Sequence, residues 1–408
     1  MFKNYFKIVF RNAKKHPMYV LINLIGLAIG MAVSIIILLY VQFELSYDNY
    51  HPDGDRLYRV SRAWFNPDGQ ISLHLGHTAP PFGPLIKSDF PEDVEVSARL
   101  FNFNPLIKSG GNAFEEERFF FADQEAFDVF GWEVISGEGK SALDQADGLV
   151  LTESTAKRYF GDAPAVGKEL LALLNGQEVT FQVRGVMKDM PENSHFHVDF
   201  LASMVPVVQF YGGLEAFMSN YGSNNFSTYI KLREGLDYKD FEAKLPSLID
   251  RHMGETQSGI PMSKGTQLFL WPIQDIHLYS NLDSEIEANG NIDYVYIYLA
   301  VAFFILLIAC INFMNLSTAR SSLRSMEVGL RKVMGADRGL LVRQFLGESF
   351  VMTGMAMLFA LILVFLFLPT FANFSERPLS LNFFQNPQYF LGILGIMAFV
   401  GLISGSYP

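Results

Sequence analysis

SSLRSMEVGLRKVMGADRGLLVRQ occupies residues 321–344. It is basic and amphipathic, and it separates two long uncharged runs, 294–319 and 349–375. A helix needs roughly 20 apolar residues to cross the hydrocarbon core of a bilayer, so both runs are long enough to span it. The segment therefore reads as a short polar helix on which the chain leaves a membrane and re-enters it. Within it Leu323, Met326, Leu330 and Val333 recur at helical spacing and form an apolar stripe. Arg320, Arg324, Glu327 and Arg331 form a charged stripe beside it. Glu327 precedes Arg331 by one turn, the favourable order for an ion pair. Gly335 is placed to end the helix and Asp337 to cap the next one. Such a stripe suits two uses: a helix lying on anionic lipid heads, or a docking helix for a partner protein.

The rest of the chain supports membrane insertion. Half of its 408 residues are apolar. Residues 18–41 carry no charge, and a further apolar run covers 389–408. Spans are expected at 18–41, 294–319, 346–368 and 389–408. The first run is too long for the apolar part of a signal peptide, and no small-residue cleavage site follows it. Lys/Arg-rich flanks stay in the cytoplasm. Lys3, Lys7, Arg11, Lys14 and Lys15 precede span one, and the basic segment 320–343 follows span two. One topology satisfies both: a cytoplasmic N-terminal segment 1–17, an outer domain 44–293, an inner segment 320–343 and an outer loop 369–388. The large domain is therefore expected on the outer side of the membrane. The chain is expected to stop in or just after its fourth span, as one half of a longer protein.

The formal charge of −11 hides a division. Residues 44–293 hold 19 of the 31 basic and 38 of the 42 acidic residues, a net −19. Positive charge gathers beside the spans. That is not the pattern of a nucleic-acid binder. The single cysteine, Cys310, lies in an apolar run and reads as small apolar filler. Gly26, Gly30 and Ser34 line one face of span one at four-residue spacing, as do Gly401 and Gly405 in span four. Such faces let helices approach closely. Asn312 and Asn315 read as interhelical hydrogen-bonding groups or interfacial caps.

The outer domain mixes short strands and helices. RLYRVSRAWF (56–65) and STYIKLREG (227–235) read as strands, and PLIKSGGNAFEEERFFFAD (105–123) as two strands around Gly110-Gly111. Asn175-Gly176 between apolar runs marks a hairpin. Thr152 and Gly161 bound a short helix, and Asp237 is placed to cap another across 238–253. The expected architecture is a four-span helical membrane protein with a large α+β domain inserted between spans one and two. A subdomain is expected within it at about 205–265. Signs of chemistry are few. His195 and His197 could share a strand face, but no third metal ligand stands near, so they read as solvated loop residues. GEGKS (137–141) resembles the end of a phosphate loop, yet Val134 stands where the pattern needs glycine.

Residues 324–336 resemble the cytoplasmic coupling helix of the FtsX/MacB family of ABC transporter permeases. The matching residues are Arg324, Glu327, Val328, Gly329, Leu330, Arg331, Lys332, Val333, Met334, Gly335 and Ala336. LTESTAKRYFGDAPAVGKEL (151–170) and VRGVMKDMPENSHFHVDFLASM (183–204) resemble the family's MacB-like periplasmic domain. ELSYDNYHPDGDRLYRV (44–60) resembles Bacteroidetes-type members. The resemblance implies a permease subunit with no nucleotide site, catalytic residue, cofactor or metal of its own. A separate cytoplasmic ATPase would bind ATP and Mg and grip the coupling helix. Membrane lipid, a second permease copy or half, and a periplasmic partner are the other contacts it implies. Export or efflux is the first reading. The alternatives are a regulatory transmitter that moves no substrate and a membrane-anchored periplasmic sensor or binding protein.

Overall fold

The computed structural model describes residues 17–109, 112–174, 176–319, 338–381 and 387–406. Two compact units result. One takes in the chain up to Leu45 and from Ile292 onward; the other is Ser46–Asn291.

Four helices of the first unit are long and apolar enough to cross a membrane: Pro17–Glu44, Ile292–Ala319, Phe345–Ser375 and Gln388–Ser406. Ring and side-chain contacts fix their directions. Tyr40 meets both Tyr298 and Phe371, at ring centroid distances of 5.4 and 6.3 Å. Gly26 and Gly30 of span one face Asn312 and Ala309 of span two, so these two run antiparallel. Gly401 and Gly405 of span four approach Phe350 and Leu346 of span three in the same sense.

Span three departs from expectation at both ends. Its helix runs Arg338–Ser375 with Pro369 inside it, beyond the expected end at 368. The expected outer loop 369–388 shortens accordingly. Proline removes one helical donor, and transmembrane helices tolerate that where neighbours re-satisfy the freed carbonyl. At the other end, residues 338–343 were expected in the polar segment but belong to this helix.

The second unit is built on thirteen strands. β1 (Leu57–Phe65) and β2 (Ile71–Leu75) open it. A helix, Phe82–Asp89, leads to β3 (Val94–Phe103). β4 (Leu106–Ser109) and β5 (Asn112–Glu115) form the hairpin expected around 110–111, and β6 (Phe119–Ala122) follows. Next come β7 (Val134–Gly137), β8 (Gly148–Thr152), β9 (Glu169–Leu174), β10 (Gln177–Met187) and β11 (Phe200–Ser203). β12 (Ser227–Leu232) and β13 (Thr266–Pro272) complete the set. The sheet order is β13-β1-β12-β3-β6-β11-β8-β10-β9-β4-β5, with β2 on β1 and β7 on β10. β6 pairs in parallel with β11 and β8 with β10; the other pairs are antiparallel.

Alternation decides which core each residue enters. On β6, Phe120 joins a core with Phe127, Phe130, Phe196 and Tyr229. Its neighbours Phe119 and Phe121 face the opposite core with Phe181 and Phe200. β8 is buried on both faces, which explains its near-continuous apolar run, and β12 is buried along its whole length as well. At Gly185 of β10 a Cβ would stand 1.8 Å from the Glu138 carbonyl oxygen, so only glycine lets β7 approach there.

The segment 205–265 is not a separate subdomain. Its strand β12 lies between β1 and β3 in the common sheet. Its helices cover the same sheet, with Leu245, Leu248 and Ile249 in one core with Tyr58 and Val60 of β1. The single helix expected across 238–253 is two, Tyr238–Glu242 and Leu245–Met253. Pro246 starts the second, where its missing N–H costs nothing. Asp237 caps the first by accepting from the Lys239 and Asp240 amides.

Candidate functional site

The coupling residues named from the sequence, Arg324, Glu327, Val328, Gly329, Leu330, Arg331, Lys332, Gly335 and Ala336, lie outside the described residues. What the structure does display is how spans one and two are joined to each other, and how the two ends of the outer domain are built.

Small residues of span one form a ridge against span two. A methyl group on Gly30 would stand 2.7 Å from Ala309 Cβ. On Gly26 it would meet Asn312 Nδ2 at 3.3 Å. One turn on, Ser34 Oγ donates to the Ala302 carbonyl at 3.0 Å. In hydrocarbon such an interhelical bond contributes about 0.6 kcal/mol on average. Asn312 lies at the edge of this contact, largely exposed although its amide approaches Gly26, and Asn315 is exposed. At the far end of span one, buried Glu44 accepts from Arg377 Nε at 3.1 Å. Arg377 also covers the Phe43 ring at 5.9 Å.

Within the outer domain, the residues that directly follow span one are locked by polar contacts. Asn193 donates to the Ser46 carbonyl at 2.8 Å, and the Asp48 amide donates back to the Asn193 carbonyl at 2.8 Å. Asp48 is fully buried, and His195 Nδ1 lies 2.9 Å from its Oδ1. The contact is not aligned as a hydrogen bond, so it is a close polar contact between two buried side chains. His195 Nε2 meets the Tyr229 hydroxyl at 2.8 Å, and His51 Nδ1 donates to the Phe130 carbonyl at 3.1 Å. Burial by itself raises a carboxyl, but His195 and His51 outweigh it and bring Asp48 down to about 2. Burial holds the Tyr229 phenol far above its usual range. Asp48 has φ 58°, a left-handed conformation that costs a non-glycine residue energy and persists only where its surroundings fix it.

The segment that precedes span two is tied to the same region. Tyr47 stacks on His277 with ring centroids 3.4 Å apart. Arg59, the third residue of β1 and 1% exposed, forms a bidentate pair with Glu285, one arm at 2.9 Å. Glu285 Oε1 also accepts from Ser280 Oγ at 2.7 Å and the Leu282 amide at 3.1 Å. Burial would raise this carboxyl; Arg59 and these donors hold it below its usual range. Glu287 accepts from the His197 amide at 2.9 Å and is held low in the same way. Two further residues of this segment, Asn281 and Ser284, also have positive φ.

His195 and His197 are therefore not solvated loop residues. The turn expected from Pro191, Asn193 and Ser194 exists, but residues 46–51 cover it and bury His195 to 4% exposure. The last two residues of GEGKS begin a short 3₁₀ turn, Lys140–Asp144, and Lys140 is paired with Asp128. Among the described residues no three His, Cys, Asp or Glu side chains are arranged to hold a metal. Sequence reading missed Arg59 and Glu285. The available signal was an arginine at 59 on the strand face shared with Leu57 and Ala63, since a charge among apolar neighbours needs a buried partner.

Two family models match the chain: the MacB-like periplasmic core domain at residues 20–248 and the FtsX-like permease C-terminal at 299–408. The chain is 24% identical over 64% of its length to the macrolide export ATP-binding/permease protein MacB of Bdellovibrio bacteriovorus, covering 36% of that protein. It is 22% identical over half its length to YknZ, an uncharacterized ABC transporter permease of Bacillus subtilis, covering 44% of it. The chain thus spans less than half the length of the curated relatives it matches. Among solved structures, the periplasmic region of MacB from Actinobacillus actinomycetemcomitans is 16% identical, with 55% of this chain and 91% of that one covered and a TM-score of 0.37. On the two family models, which between them take in most of the outer domain and nearly all of the four spans, the chain belongs to the FtsX/MacB-like family of ABC transporter permeases.

Proposed function

We propose that the chain is the permease subunit of an ABC transporter that passes the work of a separate cytoplasmic ATPase across the bacterial inner membrane to its periplasmic domain. ATP and Mg belong to that partner. In this reading the N-terminus and residues 320–337 face the cytoplasm, and the ATPase grips the coupling residues around Glu327. Nucleotide-driven closure then moves spans one and two. A second permease copy or half completes the transporter, and export or efflux is its use.

One observation carries the mechanical part. The chain just after span one and the chain just before span two are both fixed to the same sheet by buried polar contacts, Asp48–His195 and Arg59–Glu285. A buried, bidentate hydrogen-bonded pair such as Arg59–Glu285 holds one geometry, whereas apolar surfaces can slide. In this reading, a displacement delivered to either end of the outer domain reaches its sheet instead of being lost in a loose end.

The test is co-purification of the ATPase with full-length protein from native membranes. Glu327→Lys and Gly335→Pro should each reduce the recovered ATPase at least about tenfold, equivalent to 1.4 kcal/mol of binding, with membrane insertion unchanged. Undiminished recovery in both variants would refute docking through this segment.

A further inference from the structure

The helix bundle contains polar atoms that lack partners, and they share one side of it. Among the described residues of this unit, the buried side-chain atoms without a hydrogen-bond partner are both amide atoms of Asn23, the hydroxyls of Thr318 and Thr353, and that of Ser404 beside the Cys310 thiol. Asn23 is 1% exposed and Thr353 is fully buried. Asn23 lies near the start of span one, Thr318 and Ser404 near the ends of spans two and four, and Thr353 in the first half of span three. With the helix directions given above, all four fall in the half that carries Pro17 and Ala319. The Tyr40–Phe371 contact sets the offset of spans one and three and brings Asn23 level with Thr353. The opposite half is different. There Ser34 is bonded across to span two and Glu44 to Arg377.

A helical Ser or Thr can satisfy its hydroxyl on its own backbone one turn back. Ser375 and Ser406 do so, donating to the Ala372 and Ile403 carbonyls. Thr318 and Thr353 do not. Polar side chains in a membrane interior face protein partners or water, and an orphaned buried polar group calls for one or the other. A water needs two to four polar partners, and an amide with a level hydroxyl supplies them.

We propose that this half of the bundle is a hydrated polar site between spans one and three, with water bound by Asn23 and Thr353, while the half beyond Ser34 is dry. The hydration stands on the bundle alone. Its use rests on the permease reading: the wet half is the compliant end on which the ATPase pulls, and the Gly30–Ala309 contact is the pivot.

The test places two cysteines in one full-length molecule, Thr353→Cys and Val364→Cys, with Cys310→Ala. Val364 is fully buried three turns further along the same helix. A maleimide is attacked by the thiolate, which forms only where water reaches. In membranes, a water-soluble maleimide should label Cys at 353 at least about tenfold faster than at 364, read by peptide mass spectrometry. Adding Asn23→Leu should remove that difference. Equal rates at the two positions, or a difference that survives Asn23→Leu, would overturn the proposal. Because no ATPase takes part, failure here leaves the docking test of Glu327 untouched.

Discussion

Replacing Arg59 by methionine would take a guanidinium out of β1 and leave the Glu285 carboxylate behind. The pair is deeply buried: the arginine side chain is 1% exposed and the glutamate 11%. Removing one member of such a pair costs about 3–5 kcal/mol, because the remaining charge is stranded away from water. Glu285 keeps its bonds from Ser280 and the Leu282 amide, which favours the lower end, about 3 kcal/mol. For a domain of this size, about 1 kcal/mol shifts the midpoint by roughly 2–4 °C, so Arg59→Met should lower Tm by roughly 6–12 °C. The double variant Arg59→Met, Glu285→Leu removes both charges and should regain most of the loss. The molecule supplies its own probe. All three tryptophans, Trp64, Trp132 and Trp271, belong to the outer domain, and Trp271 is the cross-strand neighbour of Arg59. Tryptophan fluorescence of the full-length protein in detergent therefore follows this unit alone. The Glu285 carboxyl is held below its free value, so the pair's stabilisation is complete at neutral pH and fades as pH falls below about 4.5. The gap between wild type and Arg59→Met should close in the same range. A single variant within about 2 °C of wild type at pH 7, or a double variant no better than the single, would refute the buried-pair argument.

Other outcomes follow from the same geometry. Asp48→Asn should cost about 2 kcal/mol at pH 7, the worth of a carboxyl moved from 3.8 to about 2; the effect should vanish in fluorescence melts as pH drops from 4 to 2. Gly30→Leu should force spans one and two apart at a cost of about 1–3 kcal/mol, seen as earlier reaction of the buried Cys310 with a thiol-reactive dye on heating; an unchanged dye melt would mean the helices do not meet there. Arg377→Met should expose Cys310 earlier too, by about 2 kcal/mol because the arginine is 29% exposed, and Glu44→Gln in addition should restore much of it. If the second change made matters worse, charge pairing would not be the cause.

The four helices were legible because a bilayer imposes a length and a composition that any window can detect. Their packing face was legible for the same kind of reason: Gly26, Gly30 and Ser34 repeat every four residues. The end of span three was not, since Pro369 is an ordinary stop signal that the membrane environment overrides. In the outer domain, local patterns gave strands such as β1 and hairpins such as β4–β5. The sheet order stayed hidden. β1 pairs with β12 and β13, far along the chain, and no local pattern encodes a partner so distant. His195 shows the limit most clearly. Its turn was readable from Pro191 and Asn193, but its burial depends on residues 46–51 arriving from the other end of the domain. The coupling segment was named from its pattern and the family resemblance, and the described residues leave it to experiment.

The double variant Arg59→Met, Glu285→Leu also separates stability from transmission. A buried ion pair is poor evidence for stability, since well-packed apolar residues of similar volume serve as well or better. If stability were the only demand on this position, an apolar pair would serve there equally. The charged pair adds a fixed geometry, because both carboxylate oxygens must face both guanidinium nitrogens. That requirement fits a joint that must carry displacement from the segment before span two into β1 without slipping. On the proposed permease reading, the double variant should therefore melt close to wild type and yet couple poorly, with ATP hydrolysis by the proposed partner ATPase no longer matched by movement of the outer domain. A double variant that is both stable and fully coupled would show that the pair is a packing element and that the force takes another route.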